Sequence, residues 1–519
     1  MKFEKKMRER GMEKLDSRAK NPYKTALKNR KTPIFPLWLK LGVPTSALAT
    51  AAVIGIVLPL ALNQNMPSPS SSTPVGNPSS SAVTEEGKPT PSTPNAPENP
   101  TSIAKPGDMD QTPTEVNGTR LNEPQKAFNQ GSGALGQSYI DSIKGFANDF
   151  FSLAAGHKEK ENDNIIFSPL SLASCFALAY EGANGETKEE LSHAFHIDET
   201  SYSYKEETRK MLLETSVDKR NEKDGRSAFS NVSEAFFVDE SFKSYLMQEY
   251  IDILTSYYYA EAFSGNLGDE GMHALLADYI NGKTNDFFNL SKEDFKDLGG
   301  MLWLVNTVYL KANWNIDFYQ GGHKPFHSLN GEVIGGTPFI SSSYITDVYE
   351  WDDAYSFSIP LYGSYSMNVF YPKEEADQEK MTSYLPRLLS CSDYASVSEL
   401  LLNLTLPLFK ATNSFDLVKD GYLSGLGVHR ATDIGTADFS KMATSLPNEG
   451  LYIASASHDA GIEVSKEGIE AAAYTIIQMS GESGREIDII NITLDRPFLY
   501  SIVNAKDGLP MFIGQFSSI

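Results

Sequence analysis

The side chains best suited to acid–base, nucleophilic or metal chemistry are sparse in this 519-residue chain, and their spacing supports none of it. Its eight histidines (His157, His193, His196, His273, His323, His327, His429 and His458) form no HExxH pair for zinc. The two cysteines, Cys175 and Cys391, have no CxxC neighbour and are expected as buried core thiols. There is no GxSxG elbow, and the run Ser216, Val217, Asp218, Lys219 is not followed by SDN and KTG elements. The chain is therefore expected not to be an enzyme, and it implies no cofactor and no metal. What it offers instead is a peptide segment on which another molecule could act.

That segment is EVSKEGIEAAAYTIIQMSGESGREIDIINITLDRPF, from Glu463 to Phe498, with no proline between Gly468 and Leu494. A loop of this length is uncommon unless it is functional or disordered. Side chains alternate between the two faces of a strand. One face of this stretch would show Ile469, Ala471, Ala473, Thr475, Ile477 and Met479; the other would show Glu470, Ala472, Tyr474, Ile476 and Gln478. The first face is small to medium and mostly apolar, and the second carries the charge and the phenol. Proline is unwelcome in a central strand, where each N–H needs a ladder partner. The segment is thus able to join a sheet, yet has too little bulk to anchor itself beforehand.

Such a segment needs a large sheet beside it, and the rest of the chain can supply one. Hydrophobic residues make up 40% of the sequence, including 28 Phe and 25 Tyr. The net charge of −22 is uneven: residues 1–40 hold 13 basic and 4 acidic side chains, and the remainder holds 32 basic and 63 acidic. A body this acidic repels phosphates, so nucleic acid is not an expected partner.

From Leu41 to Leu62 the chain reads LGVPTSALATAAVIGIVLPLAL, without a charge. As a helix it would span about 33 Å, enough for a bilayer core. With the basic residues before it, residues 41–63 are expected as a transmembrane signal-anchor. Residues 1–40 then form a basic cytoplasmic segment, and the rest lies on the extracytoplasmic side, or is secreted if the anchor is cleaved. Residues 64–137 are expected as a disordered tether rich in Pro, Ser and Thr, with 12 of the 27 prolines between 64 and 135.

Residues 138–519 have the composition of one compact domain. SYIDSIKGFANDFFSLAAG places Ile140, Ile143, Phe146, Phe150 and Leu153 at helical spacing. LVNTVYLKANWNIDF (304–318), YSMNVFYPK and LLNLTLPLF have the pattern of strands. Helices toward the front and strands toward the rear suggest an α+β class with large antiparallel sheets.

Six blocks, in order, resemble the serpin family: NIIFSPLSLASCFALAYEGANGETKEEL (164–191), LVNTVYLKANWNIDF (304–318), LPLFKATNSFDL (406–417), LSGLGVHRATDIGTADFSKMA (423–443), LYIASASHDAGIEVSKEGIEAAAYT (451–475) and RPFLYSIVNAKDGLPMFIGQF (496–516). They span the chain beyond the tether. The resemblance implies a serpin fold of three β-sheets with about eight to nine helices and an exposed reactive-centre loop. It implies a monomeric suicide-substrate inhibitor of serine endopeptidases, with cysteine endopeptidases as a second class. The target protease would be held as a covalent acyl complex. A binding or display module of the same fold, without inhibition, is the alternative.

By the same resemblance, Glu467, Gly468, Ile469, Glu470, Ala471, Ala472 and Ala473 form the hinge. Ile469 stands where the family usually has Thr or Ser. Ser168, Ser171, Asn306 and His458 match the polar cluster that lets the main sheet part, and Trp314 matches the place where the loop first enters. The usual spacing from the hinge glycine puts the cut between Glu482 and Ser483. The loop is about four residues longer than the compact family pattern between Gly468 and Pro497. If that length precedes the cut, Arg485 is the bait; neighbours such as Met479 are further options.

Overall fold

The computed structural model describes residues 48–58, 118–122, 124–158, 160–390, 396–444, 450–466 and 487–519. The hinge, from Glu467 to Ala473, and the candidate bonds at Glu482, Ser483 and Arg485 lie outside the described residues, as does Cys391.

Eight strands make the main sheet: β1 (Leu48–Leu58), β2 (Thr119–Arg120), β3 (Val217–Arg220), β4 (Ser227–Asp239), β5 (Glu261–Gly265), β6 (Leu302–Ala312), β7 (Phe409–Asp416) and β8 (Ser455–Val464). Their order across the sheet is β7-β8-β1-β6-β4-β5-β2, with β3 also on β4. β4 and β5 run parallel, and the other neighbours are antiparallel.

The centre of this sheet is covered on both sides, so β4 and β6 are buried along almost their whole length. Leu304, Val308 and Leu310 of β6 join Val232 and Phe236 of β4 in the principal core. The intervening Trp303, Val305, Ala235 and Phe237 belong to a second core with Met272, Leu275, Leu276, Tyr279 and Ile280. Those last residues lie on helix α3, Glu270–Thr284, when the helices that matter here are numbered α1 (Gln137–Gly156), α2 (Pro169–Gly182) and α3. Burying each large apolar side chain contributes about 1.5–3 kcal/mol.

α2 lies under the principal face and is buried almost all round, as expected for a helix apolar on every side. Its start is defined locally: the Ser168 hydroxyl accepts from the Ser171 N–H at 3.0 Å, and Pro169 follows in the first turn. α1 buries Ile140, Ile143, Phe146 and Phe150, the helical stripe expected from the sequence. The 18-residue strand Val333–Glu350 links two further groups of strands, one on each of its flanks, completing three sheets.

Two expectations from the front of the chain need correction. No helix among the described residues is long and apolar enough to cross a membrane, and Leu48–Leu58, expected inside a spanning helix, form the strand β1. A buried central strand and a lipid-spanning helix share the same uncharged signature, which periodicity cannot separate. The content of Val53, Ile54, Ile56 and Val57 suits a strand.

The tether also ends earlier than Gln137. Thr119 and Arg120 pair with Ser264 and Phe263. The Arg120 guanidinium lies 2.9 Å from Glu261, which also meets Lys283 at 2.7 Å. Lys126 donates to Asn231 Oδ1 at 2.8 Å and to the Val232 carbonyl. Proline-rich composition does not reveal these few charged anchors.

Candidate functional site: a buried polar seam under the main sheet

The residues matched to the sheet-opening cluster come together beneath β8, β6 and β4. Ser168 and Ser171 are set by the first turn of α2, Asn306 by β6 and His458 by β8, and all four are fully buried. The Ser168 hydroxyl donates to the Met511 carbonyl at 2.6 Å, and its backbone N–H donates to His458 Nε2 at 3.1 Å. That nitrogen acts as an acceptor, so the ring proton sits on Nδ1. The His458 ring stacks on Phe415 at 6.0 Å.

Ser171 Oγ donates to Asn306 Oδ1 at 2.5 Å, and Asn306 Nδ2 donates to Glu234 Oε1 at 2.7 Å. The Ser174 hydroxyl donates to the same carboxylate oxygen. Two layers are thus linked by polar contacts within an otherwise apolar interior, where such bonds are strong and an unpaired group is costly. Burial pushes the Glu234 carboxyl up to about 7, opposed by the bonds from Ser174 and Asn306 and by Lys126.

Glu234 was missed by the sequence reading. The available signal was a lone acid at the centre of SNVSEAFFV, within a run buried on both faces. Lys126 was missed because it fell in the presumed tether. Cys175 is buried, as expected, and its thiol pKa is raised well above the usual range by burial.

Trp314 stands apart from the seam, at the end of β8. Its indole N–H donates to the Ser465 carbonyl at 3.0 Å, and its ring packs on Phe318 at 5.2 Å. It therefore fixes the last described residues before segment 467–486. Among the described residues no group of His, Cys, Asp and Glu could hold a metal ion.

A cluster of this kind can hold strands together without covalent cost and release them when a few hydrogen bonds exchange. β8 and β6 do not pair with each other; both pair antiparallel with the strand between them, along almost its whole length. The sheet accommodates a strand at this position, running as a hairpin return from β8 would run.

The comparisons agree with this architecture. The chain is similar to an uncharacterized serpin-like protein of Thermococcus kodakarensis, 27% identical over 388 residues, covering 72% of this chain and 84% of that protein. It is also similar to Serpin B4 of Homo sapiens, 27% identical over 382 residues, covering 70% and 95%. Among solved structures, the native state of the thermophilic serpin tengpin matches with a TM-score of 0.60 at 21% identity, covering 78% of this chain and all of that one. A loop-inserted, cleaved ovalbumin mutant matches with a TM-score of 0.57 at 16% identity, covering 74% of this chain and all of that one. These two likenesses concern the fold. The family model described as serpin (serine protease inhibitor) matches residues 141–519, and with the fold and the seam beneath its main sheet, the chain belongs to the serpin family.

Proposed function

We propose that the chain is an irreversible suicide-substrate inhibitor of serine endopeptidases. A protease cuts the segment between Gly468 and Pro497, and the freed hinge side enters the main sheet between β8 and β6. Serpin loop insertion is itself a known instance of strand addition and of stored-strain release. The observation that carries this reading is the position between β8 and β6, where a strand antiparallel to both is already accommodated.

Direction and composition support it. β8 ends at Val464, so a chain returning beside it runs antiparallel, and Ala471, Ala473, Thr475 and Ile477 alternate onto one face. Each new ladder bond contributes about 0.5–1.5 kcal/mol net. The uncut form is then a kinetic trap whose lifetime depends on a barrier. A strand advances about 3.3 Å per residue, so full insertion carries a bound protease about 50 Å. The acyl linkage is made by the protease's own nucleophile; this chain supplies the carbonyl and the displacement. Glu482–Ser483 is the first candidate bond and Arg485 the second.

The test is incubation with trypsin-like, glutamyl-specific and subtilisin-like proteases, read by SDS-stable complexes and by sequencing of the released C-terminal peptide. Complexes at 1:1 support inhibition. Clean cleavage by all three classes without complexes leaves a binding or display module.

A further inference from the structure

The strand between β8 and β6 is not the reactive loop but Leu48–Leu58, from the far end of the chain. β1 pairs with β6 from Leu48 opposite Ala312 to Leu58 opposite Leu302. It pairs with β8 from Ala49 opposite Glu463 to Val57 opposite Ser455. In register, Ile54 stands between Asn306 and His458, two members of the polar seam.

On one alternating face, the sequence of β1 follows that of the hinge side of the loop. Aligned without gaps, ATAAVIGIVL (49–58) lies over EAAAYTIIQM (470–479). On the register that β1 shares with the buried Val308, Ala460 and Ile462 are Thr50, Ala52, Ile54, Ile56 and Leu58. The corresponding loop residues are Ala471, Ala473, Thr475, Ile477 and Met479. Both series begin small, become β-branched, share an isoleucine and end in a long unbranched or γ-branched side chain. Neither contains proline.

Reach is no obstacle. Sixty residues, 59–118, connect β1 to β2 at the edge of the same sheet. Neighbouring strands are about 4.8 Å apart, so the two lie about 20 Å from each other across the sheet. At about 3.1 Å per residue, the rise of a proline-rich chain, sixty residues have a contour several times that distance. A strand tethered to the sheet it fills binds intramolecularly, without needing high intrinsic affinity.

We propose that Leu48–Leu58 is a resident plug of the main sheet, an intramolecular mimic of the reactive loop that fills the slot the cleaved loop needs. Its expulsion is then a required step of inhibition. Occupancy of the slot stands on strand register alone; the requirement for expulsion rests on the inhibitor reading above. A segment lodged in a lipid bilayer cannot also fill the slot, so a spanning helix over residues 41–63 is the competing state.

The experiment is the double substitution Gly55→Cys with Ser457→Cys in the full-length chain. The two positions are register partners, and Ser457 is exposed. Antiparallel partners have Cα atoms about 4.5–5.5 Å apart, within the range a disulfide bridges. Mild oxidation by oxidised glutathione forms the S–S bond as the two thiols lose their hydrogens and glutathione is reduced. The expected result is a 55–457 cross-link seen by peptide mapping, with loss of SDS-stable protease complexes that reduction restores.

Absence of the cross-link in folded protein overturns the plug. A cross-link in protein that makes no complexes even when reduced leaves the plug standing and removes the inhibitor reading. If the double variant does not fold, hydrogen exchange on the unaltered chain decides. Protection at 48–58 that is lost on loop cleavage, as 469–479 gain it, supports the plug. Protection at 48–58 that is unchanged while 469–479 gain it overturns it.

Discussion

Asn306 and Glu234 are register partners on β6 and β4, and their side chains are joined at 2.7 Å below the middle of the main sheet. The other carboxylate oxygen of Glu234 is buried without a hydrogen-bond partner among the described residues. A carboxyl group so placed favours its neutral form, because an ion there would be desolvated and only half satisfied. The seam therefore has a protonation state of its own.

This gives a pH dependence with a definite sign. Glutamate has an ordinary pKa of 4.5, and burial raises that of Glu234 to about 7. The folded chain binds this proton more tightly than the unfolded chain, so its stabilising effect is full below 4.5 and is lost as pH rises through about 7. Glu234→Gln keeps an amide oxygen for Ser174 and Asn306 but carries no charge. The variant should be more stable than the parent at pH 8 by about 1–3 kcal/mol, with little difference at pH 4. Thermal unfolding of both proteins at both pH values checks it; an equal difference at the two would refute this account.

Asn306→Ala should do the reverse. It leaves the Ser171 hydroxyl and the Glu234 carboxyl each short of a partner, at a cost of about 1–3 kcal/mol. Ser171→Ala removes a single contact and should cost less. Unfolding midpoints that rank the two variants the other way count against a linked seam.

Trp314→Phe keeps a ring against Phe318 but loses the bond to the Ser465 carbonyl. The expected cost is about 0.5–1.5 kcal/mol. The change should also be local, with faster amide exchange around residues 463–466 and no change in the far half of β8. Uniform exchange along β8 would show that Trp314 holds the whole strand rather than its end.

Ala471→Arg tests the inserting face. Position 471 falls among the small residues of that face, and a buried guanidinium without a partner is strongly disfavoured. The variant should be cleaved at the parent's bond yet release active protease, so SDS-stable complexes fall and turnover of the inhibitor rises. Full-yield complexes would show that residue 471 never enters the sheet.

Much of the fold was legible because it is written in periodicity. The stripe Ile140, Ile143, Phe146 and Phe150 places α1, and the run 304–318 marks a strand that the structure sets at Leu302–Ala312. The polar seam was legible only through family resemblance, since Ser168, Ser171, Asn306 and His458 are separated by up to 290 residues. No local pattern joins them. Glu234 could have been suspected as an acid in an apolar strand, but its partners Ser174 and Asn306 come from other elements.

The sequence by itself determined the helical stripe of α1, the α+β class, and the alternation by which the segment after Val464 could serve as a strand. These are short-range facts, set by which side chains sit two or four positions apart. Tertiary structure decided that Thr119 and Arg120 belong to the sheet, that Glu234 sits beside Asn306, and that Leu48–Leu58 lies as a strand between β6 and β8. An uncharged run needs only a place where its backbone hydrogen bonds are made and water is absent. A helix in lipid and a strand in an open sheet both meet that need, and only the neighbouring strands can settle which is formed.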